Sequence, residues 1–309
     1  MSEMKYVVGP VPSRRLGRSL GVSPIPKKTC NYSCVYCQLG RTNRMTNTRR
    51  EFFPLKDILD EVEICLRDQG DSIDVVSIVG EGEPTLYSRL GELIRGIQKL
   101  TKVPVAVITN GALLQDPGVR EELMAADIVL PSVDGYDEDS YRRTDRPHGT
   151  IHYEGTWEGL KAFTHSFKGQ IYLEIMLMDG INDSPADLKK FKERLGELRY
   201  DRVYITTPVR PPAEAGVRVS TPETLKAAAE LLGGVSIESL AAGAFSSEIE
   251  DDYEAILSII GRHPMNQHEI RSFLSSRKNG DPDALLKKLG ADPAVVPMEY
   301  KGYITYRLK

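Results

Sequence analysis

The 309-residue chain reads as an α/β protein, a partial (β/α)6 TIM-like barrel followed by a small winged helix-turn-helix domain. Three observations lead there. Six apolar strand-like runs alternate with helix-like stretches over residues 1–232; that alternation stops after Leu232; and from Glu250 the order becomes three helices and then a hairpin. Alternation of strand and helix generates βαβ units around a mainly parallel sheet, whereas three helices and a hairpin follow the winged-helix order. The expected domains are therefore 1–232, a linker at 233–249 and 250–309.

The predicted strands are Ser19–Val22, Ile73–Val79, Val105–Thr109, Ile128–Ser132, Ile171–Met178 and Arg202–Thr207, apolar runs short enough for buried strands. Helices are expected at Leu55–Arg67, Leu90–Leu100, Val119–Ala125, Tyr153–Phe167 and Ala186–Leu195, where apolar residues recur at helical spacing. A segment rich in small residues around Gly243 reads as the link. Beyond it come helices at Tyr253–Gly261, Gln267–Ser275 and Pro282–Leu289, with a break at His263-Pro264. The last elements are strands Val295–Tyr300 and Tyr303–Leu308, joined by a turn at Lys301-Gly302.

A long loop, Ser23 to Phe53, follows the first strand and carries Cys30, Cys34 and Cys37 as C-x3-C-x2-C. Three close thiolates can hold three irons of a cubane and leave the fourth open, whereas ordinary cluster and structural zinc sites close with four ligands. Zinc and a purely redox cluster are the alternatives, although no nearby histidine offers a fourth ligand at the usual spacing. Cys65 follows Ile58, Leu59 and Val62 at helical spacing and is expected to be a small buried hydrophobe. Loops after parallel strands gather on one face, so the cysteine loop and the later strand ends are expected to share a site.

Composition is that of an ordinary globular chain, with 27% charged residues and a net charge of −4. No apolar stretch is long enough to span a bilayer, and no secretory signal is visible at Met1–Pro10. With three of four cysteines clustered rather than spread as a disulfide framework, a cytoplasmic location is expected. Residues 1–50 hold ten Lys or Arg against the single acid Glu3. Such a segment either compensates a negative cluster and draws an anionic substrate, or is a solvated basic face. Arg14 and Arg15, in a turn-rich approach to the first strand, are the leading substrate candidates. Arg146 and Arg210 follow strand ends and suit an anion, with a structural ion pair as the alternative for each. Residues 250–309 hold nine basic and nine acidic residues, so the C-terminal unit lacks the basic excess usual in nucleic-acid-binding domains.

The C-x3-C-x2-C loop, with Tyr36 just before its last cysteine, resembles the signature of the radical S-adenosylmethionine (SAM) superfamily. Gly80-Glu81-Gly82-Glu83-Pro84-Thr85-Leu86 is similar to that family's Gly-Gly-Glu-Pro segment. Thr109-Asn110-Gly111 and Pro131-Ser132-Val133-Asp134-Gly135 resemble its next two strand-end motifs. The resemblance implies a [4Fe-4S] cluster on Cys30, Cys34 and Cys37, with SAM near Tyr36, Glu81, Gly82, Glu83, Asn110, Ser132 and Asp134. It also implies reductive SAM cleavage to a 5′-deoxyadenosyl radical that takes hydrogen from substrate, fed by a donor such as ferredoxin or flavodoxin. Gly9–Gly17, Gly80–Leu86 and Arg210–Glu214 further resemble iron–sulfur oxidoreductases grouped with tRNA wyosine-synthesis enzymes, which makes tRNA a concrete anionic substrate. No cysteine precedes Cys30, so the two-cluster, pyruvate-condensing reaction of the wyosine enzymes is not expected. The competing reading is a cluster-containing regulator whose C-terminal unit binds nucleic acid.

Overall fold

The computed structural model describes residues 4–69, 72–237, 245, 247, 249–277, 281–300 and 302–309. In chain order it comprises β1 (Val7–Ser13), β2 (Gly17–Val22), β3 (Thr29–Cys30), β4 (Arg44–Met45), α1 (Leu55–Gln69), β5 (Val75–Ile78), α2 (Leu90–Leu100), β6 (Val105–Thr109), α3 (Pro117–Leu123) and β7 (Ile128–Pro131). These are followed by α4 (Glu138–Thr144), α5 (Tyr153–Ser166), β8 (Gln170–Met176), α6 (Pro185–Leu195), β9 (Arg202–Thr206), α7 (Pro222–Leu232) and β10 (Val235–Ser236). Eight strands form one sheet in the order β1-β2-β5-β6-β7-β8-β9-β10. All neighbours are parallel except the β1–β2 hairpin. Every parallel connection carries at least one helix, as the alternation predicts.

Side-chain alternation along the strands divides this sheet into two faces. Val76, Ile78, Val105, Val107, Val129, Leu173, Ile175, Val203 and Ile205 belong to the large core shared with helix residues such as Ile58, Leu93, Ile97, Phe163 and Phe191. Their neighbours Val75, Ala106, Ile128, Leu130, Tyr172 and Tyr204 pack in a smaller cluster on the opposite face. Farther along that second face, Ser77, Ile108, Glu174, Met176 and Thr206 line a cavity. Period-two patterning thus supplies a packed side and a side available for a ligand. Cys65 is buried in the helix-side core, as its helical spacing predicts.

Several elements depart from the sequence expectation. Strand β1 contains Gly9, Pro10 and Pro12, which argue against a strand, yet it occupies one end of the sheet order, where proline is tolerated. Helix α4 is only seven residues long but has a reciprocal cap: the Asp137 carboxylate accepts the Ser140 N–H, and the Ser140 hydroxyl accepts that of Asp137. Helix α7 starts at the Thr221 cap with Pro222 in its first turn and stops at left-handed Gly233; its alanine-rich buried stripe gives a weak periodic signal. Strand β10 then extends the sheet into the segment expected as linker. Residues 238–244, 246 and 248 of that linker, Gly243 among them, and Lys301 of the expected turn lie outside the described residues.

The C-terminal unit consists of α8 (Asp252–Arg262), β11 (Met265–Asn266), α9 (Gln267–Arg277), α10 (Pro282–Ala291), β12 (Val295–Tyr300) and β13 (Tyr303–Leu308). Its strands are antiparallel in the order β11-β13-β12. Ile256, Ile259, Ile260, Phe273 and Leu289 form its core, against which Val11 of β1 also packs. The two units are further tied by Tyr300 Oη donating to the Pro208 carbonyl at 2.6 Å and by the Arg210–Glu269 ion pair at 3.0 Å.

Candidate active site

Because β2, β5, β6 and β7 are mutually parallel, the segments after them emerge along one rim. The cysteine loop, Gly80–Glu83, Asn110 and Ser132 all border one cavity of about 770 Å³, a size suited to a small ligand. The C-terminal unit contributes to the same lining through His263, Glu269, Tyr300 and Tyr303.

Cys30, Cys34 and Cys37 all line the cavity. The Cys30 sulfur accepts the Tyr32 N–H at 3.4 Å and Asn110 Nδ2 at 3.7 Å. Burial pushes all three thiols up, while Lys28 and Arg307 oppose that shift at Cys37. Among the described residues no three His, Cys, Asp or Glu side chains converge closely enough to share one metal ion. In a cubane, by contrast, each thiolate holds a different iron, so the sulfurs stand farther apart. Three soft donors on one loop, with N–H groups and cations beside them, suit a cluster bound through three cysteines.

The carboxylate of Glu83 is buried and saturated. One oxygen accepts Thr85 N–H at 2.9 Å and the Thr85 and Thr109 hydroxyls at 2.6 Å each, and the other accepts Asn110 N–H at 2.7 Å. It ties the ends of β5 and β6 together and caps the 3-10 turn Pro84–Leu86. Burial raises its pKa against these four donors. Gly82 passes so close to Thr29 that a Cβ would sit 1.7 Å from the Thr29 carbonyl oxygen. That close passage seats Gly80–Glu83 directly against the strand leading into Cys30. Asn110 bridges the same groups, donating to Asn31 Oδ1 at 2.8 Å as well as to the Cys30 sulfur.

Two expected contact residues do not line the cavity. Asp134 is buried beneath it, accepting the Tyr36 hydroxyl and, at 2.7 Å, the Met176 N–H. Burial lifts Asp134 to about 6, and its geometry positions Tyr36, which does reach the cavity. Arg146 is held by Glu214 at 2.6 Å, and Glu214 also grips Arg41 at 2.7 Å. These pairs fasten the cysteine loop to the segment after β9. Arg14, Arg15 and Arg210 do line the cavity. Arg15 is paired with Glu174, and Arg210 makes two bonds to Glu269 while donating to His263 Nε2 at 2.7 Å.

Among the described residues, four of the ten basic residues in the first fifty are ion-paired, Arg18 and Arg41 of them at exposed positions. Arg15, Arg18, Arg41 and Arg49 pair with Glu174, Asp74, Glu214 and Glu122, so this part of the segment's charge is answered by acids later in the chain. Sequence reasoning placed Lys28 in the basic segment beside the cysteines but missed Arg307, Asp145, Glu174, His263 and Glu269. Asp145 is buried and hydrogen-bonded to the Cys34 thiol, but no local motif marks it. Arg307, Glu174, His263 and Glu269 reach the site from distant segments, and only tertiary packing brings them there.

The Radical SAM superfamily model matches residues 25–194, which include all three clustered cysteines and every strand-end motif. UPF0026 protein MJ1312 of Methanocaldococcus jannaschii is 34% identical over 98% of this chain and 96% of its own length. A Brachyspira hyodysenteriae protein named GTPase Obg is 32% identical over 98% of this chain, which spans only 45% of that protein. A radical SAM methyltransferase from Sphaerobacter thermophilus shares the fold, with a TM-score of 0.53 and 15% identity over 71% of this chain and 65% of that one. The chain belongs to the radical SAM superfamily, enzymes that use a [4Fe-4S] cluster and SAM.

Proposed function

We propose that this enzyme binds its cluster through Cys30, Cys34 and Cys37 and acts on an anionic substrate held in the cavity. The observation that carries this reading is that three thiols without a fourth cysteine partner face the same cavity as Glu81, Gly82, Asn110, Ser132 and Tyr36. When bound, the cluster and SAM supply reductive cleavage of the sulfonium and a 5′-deoxyadenosyl radical that takes hydrogen from substrate. The chain's part is placement and exclusion. Lys28 and Arg307 offset negative charge beside Cys37, and Asn110 donates to Cys30. Glu81, Ser132 and Tyr36, which line the cavity, would hold SAM there, Glu81 at its methionyl end and Tyr36 beside its adenine, while Glu83 and Asp134 hold these groups in place.

In this reading residues 1–232 form a partial barrel, extended by β10, and 250–309 form a winged-helix-like unit. Ferredoxin or flavodoxin supplies the electron in the cytoplasm. The resemblance to the wyosine-related subgroup supports tRNA as a substrate to try first, and the ion pairing of Arg15, Arg18, Arg41 and Arg49 with acids later in the chain makes small anionic metabolites the comparison. The test is electron paramagnetic resonance of the reduced, anaerobically reconstituted protein, recorded before and after SAM. A SAM-induced change in the cluster signal, lost in Glu81→Ala with the cluster intact, supports the assignment. An unchanged signal in the wild type contradicts it.

A further inference from the structure

Among the described residues the ends of the large sheet, β1 and β10, are not hydrogen-bonded to each other, and the C-terminal unit reaches both sides of that opening. Val11 of β1 packs into its core, while Pro208 and Arg210, just after β9, bond to Tyr300 and Glu269. At the end of β11 and along α9, Asn266, Glu269 and Ser272 recur every third residue and all line the cavity, so one face of α9 looks into it. Among the described residues α10, which stands where a winged helix carries its DNA-reading helix, contributes no lining residue. This unit therefore builds a wall of the cavity rather than only standing beside it.

The chemistry of that wall is specific. Arg14, Arg15 and Arg210 all bear electrostatically on His263 and all line the cavity. Glu174 and Glu269 neutralise Arg15 and Arg210, whereas Arg14 is in no ion pair among the described residues. Since a guanidinium only donates, the 2.7 Å bond from Arg210 Nη2 makes His263 Nε2 an acceptor and leaves its ring proton on Nδ1. Burial and the three guanidiniums hold His263 well below its ordinary pKa, so it is neutral. Three cations, two carboxylates and a neutral imidazole leave one positive charge on the wall.

Resting on the radical-enzyme reading above, we propose that the C-terminal unit completes the substrate site and that Arg14, Arg210 and His263 form a subsite for one singly charged group, a carboxylate or a phosphodiester. The paired carboxylates preorganise Arg15 and Arg210, and unpaired Arg14 supplies the charge that the anion answers. A cavity of about 770 Å³ leaves room for the reacting portion of the substrate between this wall and the cysteine loop.

The experiment is a titration of the full chain, labelled with 13C-histidine, with sodium acetate in one arm and dimethyl phosphate in the other. Chloride at matched ionic strength is the control, and His263→Gln assigns the buried resonance. The expected result is saturable movement of the His263 signal by at least one anion but not by chloride. In Arg14→Gln, whose side chain is exposed and unpaired, the apparent Kd weakens at least tenfold with the fold intact by thermal melting. Response to acetate alone identifies a carboxylate subsite, and response to dimethyl phosphate alone identifies a phosphodiester subsite. No response to either, or an equal response in Arg14→Gln, overturns the proposal. The readout requires neither SAM cleavage nor a reductant, so its failure is distinguishable from failure of the radical reading.

Discussion

At the scale of single residues, Glu81 and Glu83 show how two carboxylates one residue apart take different work. Glu83 answers four donors in a buried setting, and stranding such donors costs about 1–3 kcal/mol each. Glu83→Ala is therefore expected to lower stability by about 3 kcal/mol or more, read as a drop in the denaturation midpoint. Glu81→Ala should weaken SAM binding, measured by equilibrium dialysis. Gly82→Ala brings a methyl onto the Thr29 carbonyl at 1.7 Å, so the strand into Cys30 must move; reconstituted iron content should fall several-fold. The segment 80–86 was legible as a strand-end motif because apolar residues precede it. Which acid turns inward was not legible, because that depends on Thr85 and Thr109 meeting across two strands.

Among the elements, the loop from Ser23 to Phe53 has little regular structure and is held by side-chain ties. Glu214 grips Arg41 and Arg146, and these guanidiniums depress its pKa to about 2. A carboxylate depressed in the folded state adds stability above its unfolded pKa and loses it as pH falls through the folded value. The tether should thus persist at neutral pH and weaken between about pH 4.5 and pH 2, modestly, since exposed pairs are screened. Glu214→Gln should mimic that loss at neutral pH, seen as faster amide exchange near Val35 and Thr42. The long parallel strands were legible from apolar runs of the right length. Strand β1 was obscured by its prolines, α4 by its shortness and α7 by alanines that pack without a strong periodic contrast. In each case a cap or a sheet edge, rather than hydrophobic patterning, fixes the element.

For the whole molecule, the sheet supplies the rim and the C-terminal unit supplies a wall. Arg307 of β13 donates to the Gln38 carbonyl at 3.3 Å and bears on Cys37, so the last strand reaches the cysteine loop. Replacing it by methionine should make the cluster harder to reduce, because a nearby cation favours the added electron; a redox titration followed by electron paramagnetic resonance should give a more negative midpoint. The three C-terminal helices and the bounds of β12 and β13 were legible, whereas the two-residue β11 was not. Nor was the docking of the C-terminal unit, because the contacts of Val11, Pro208 and Arg210 with that unit join residues separated by long stretches of chain. The most direct measurement is 5′-deoxyadenosine formed from SAM by the anaerobically reconstituted protein under a strong reductant. The three-cysteine site requires product in the wild type and none in Cys34→Ala. A fully loaded wild-type cluster that binds no SAM and releases no 5′-deoxyadenosine contradicts it.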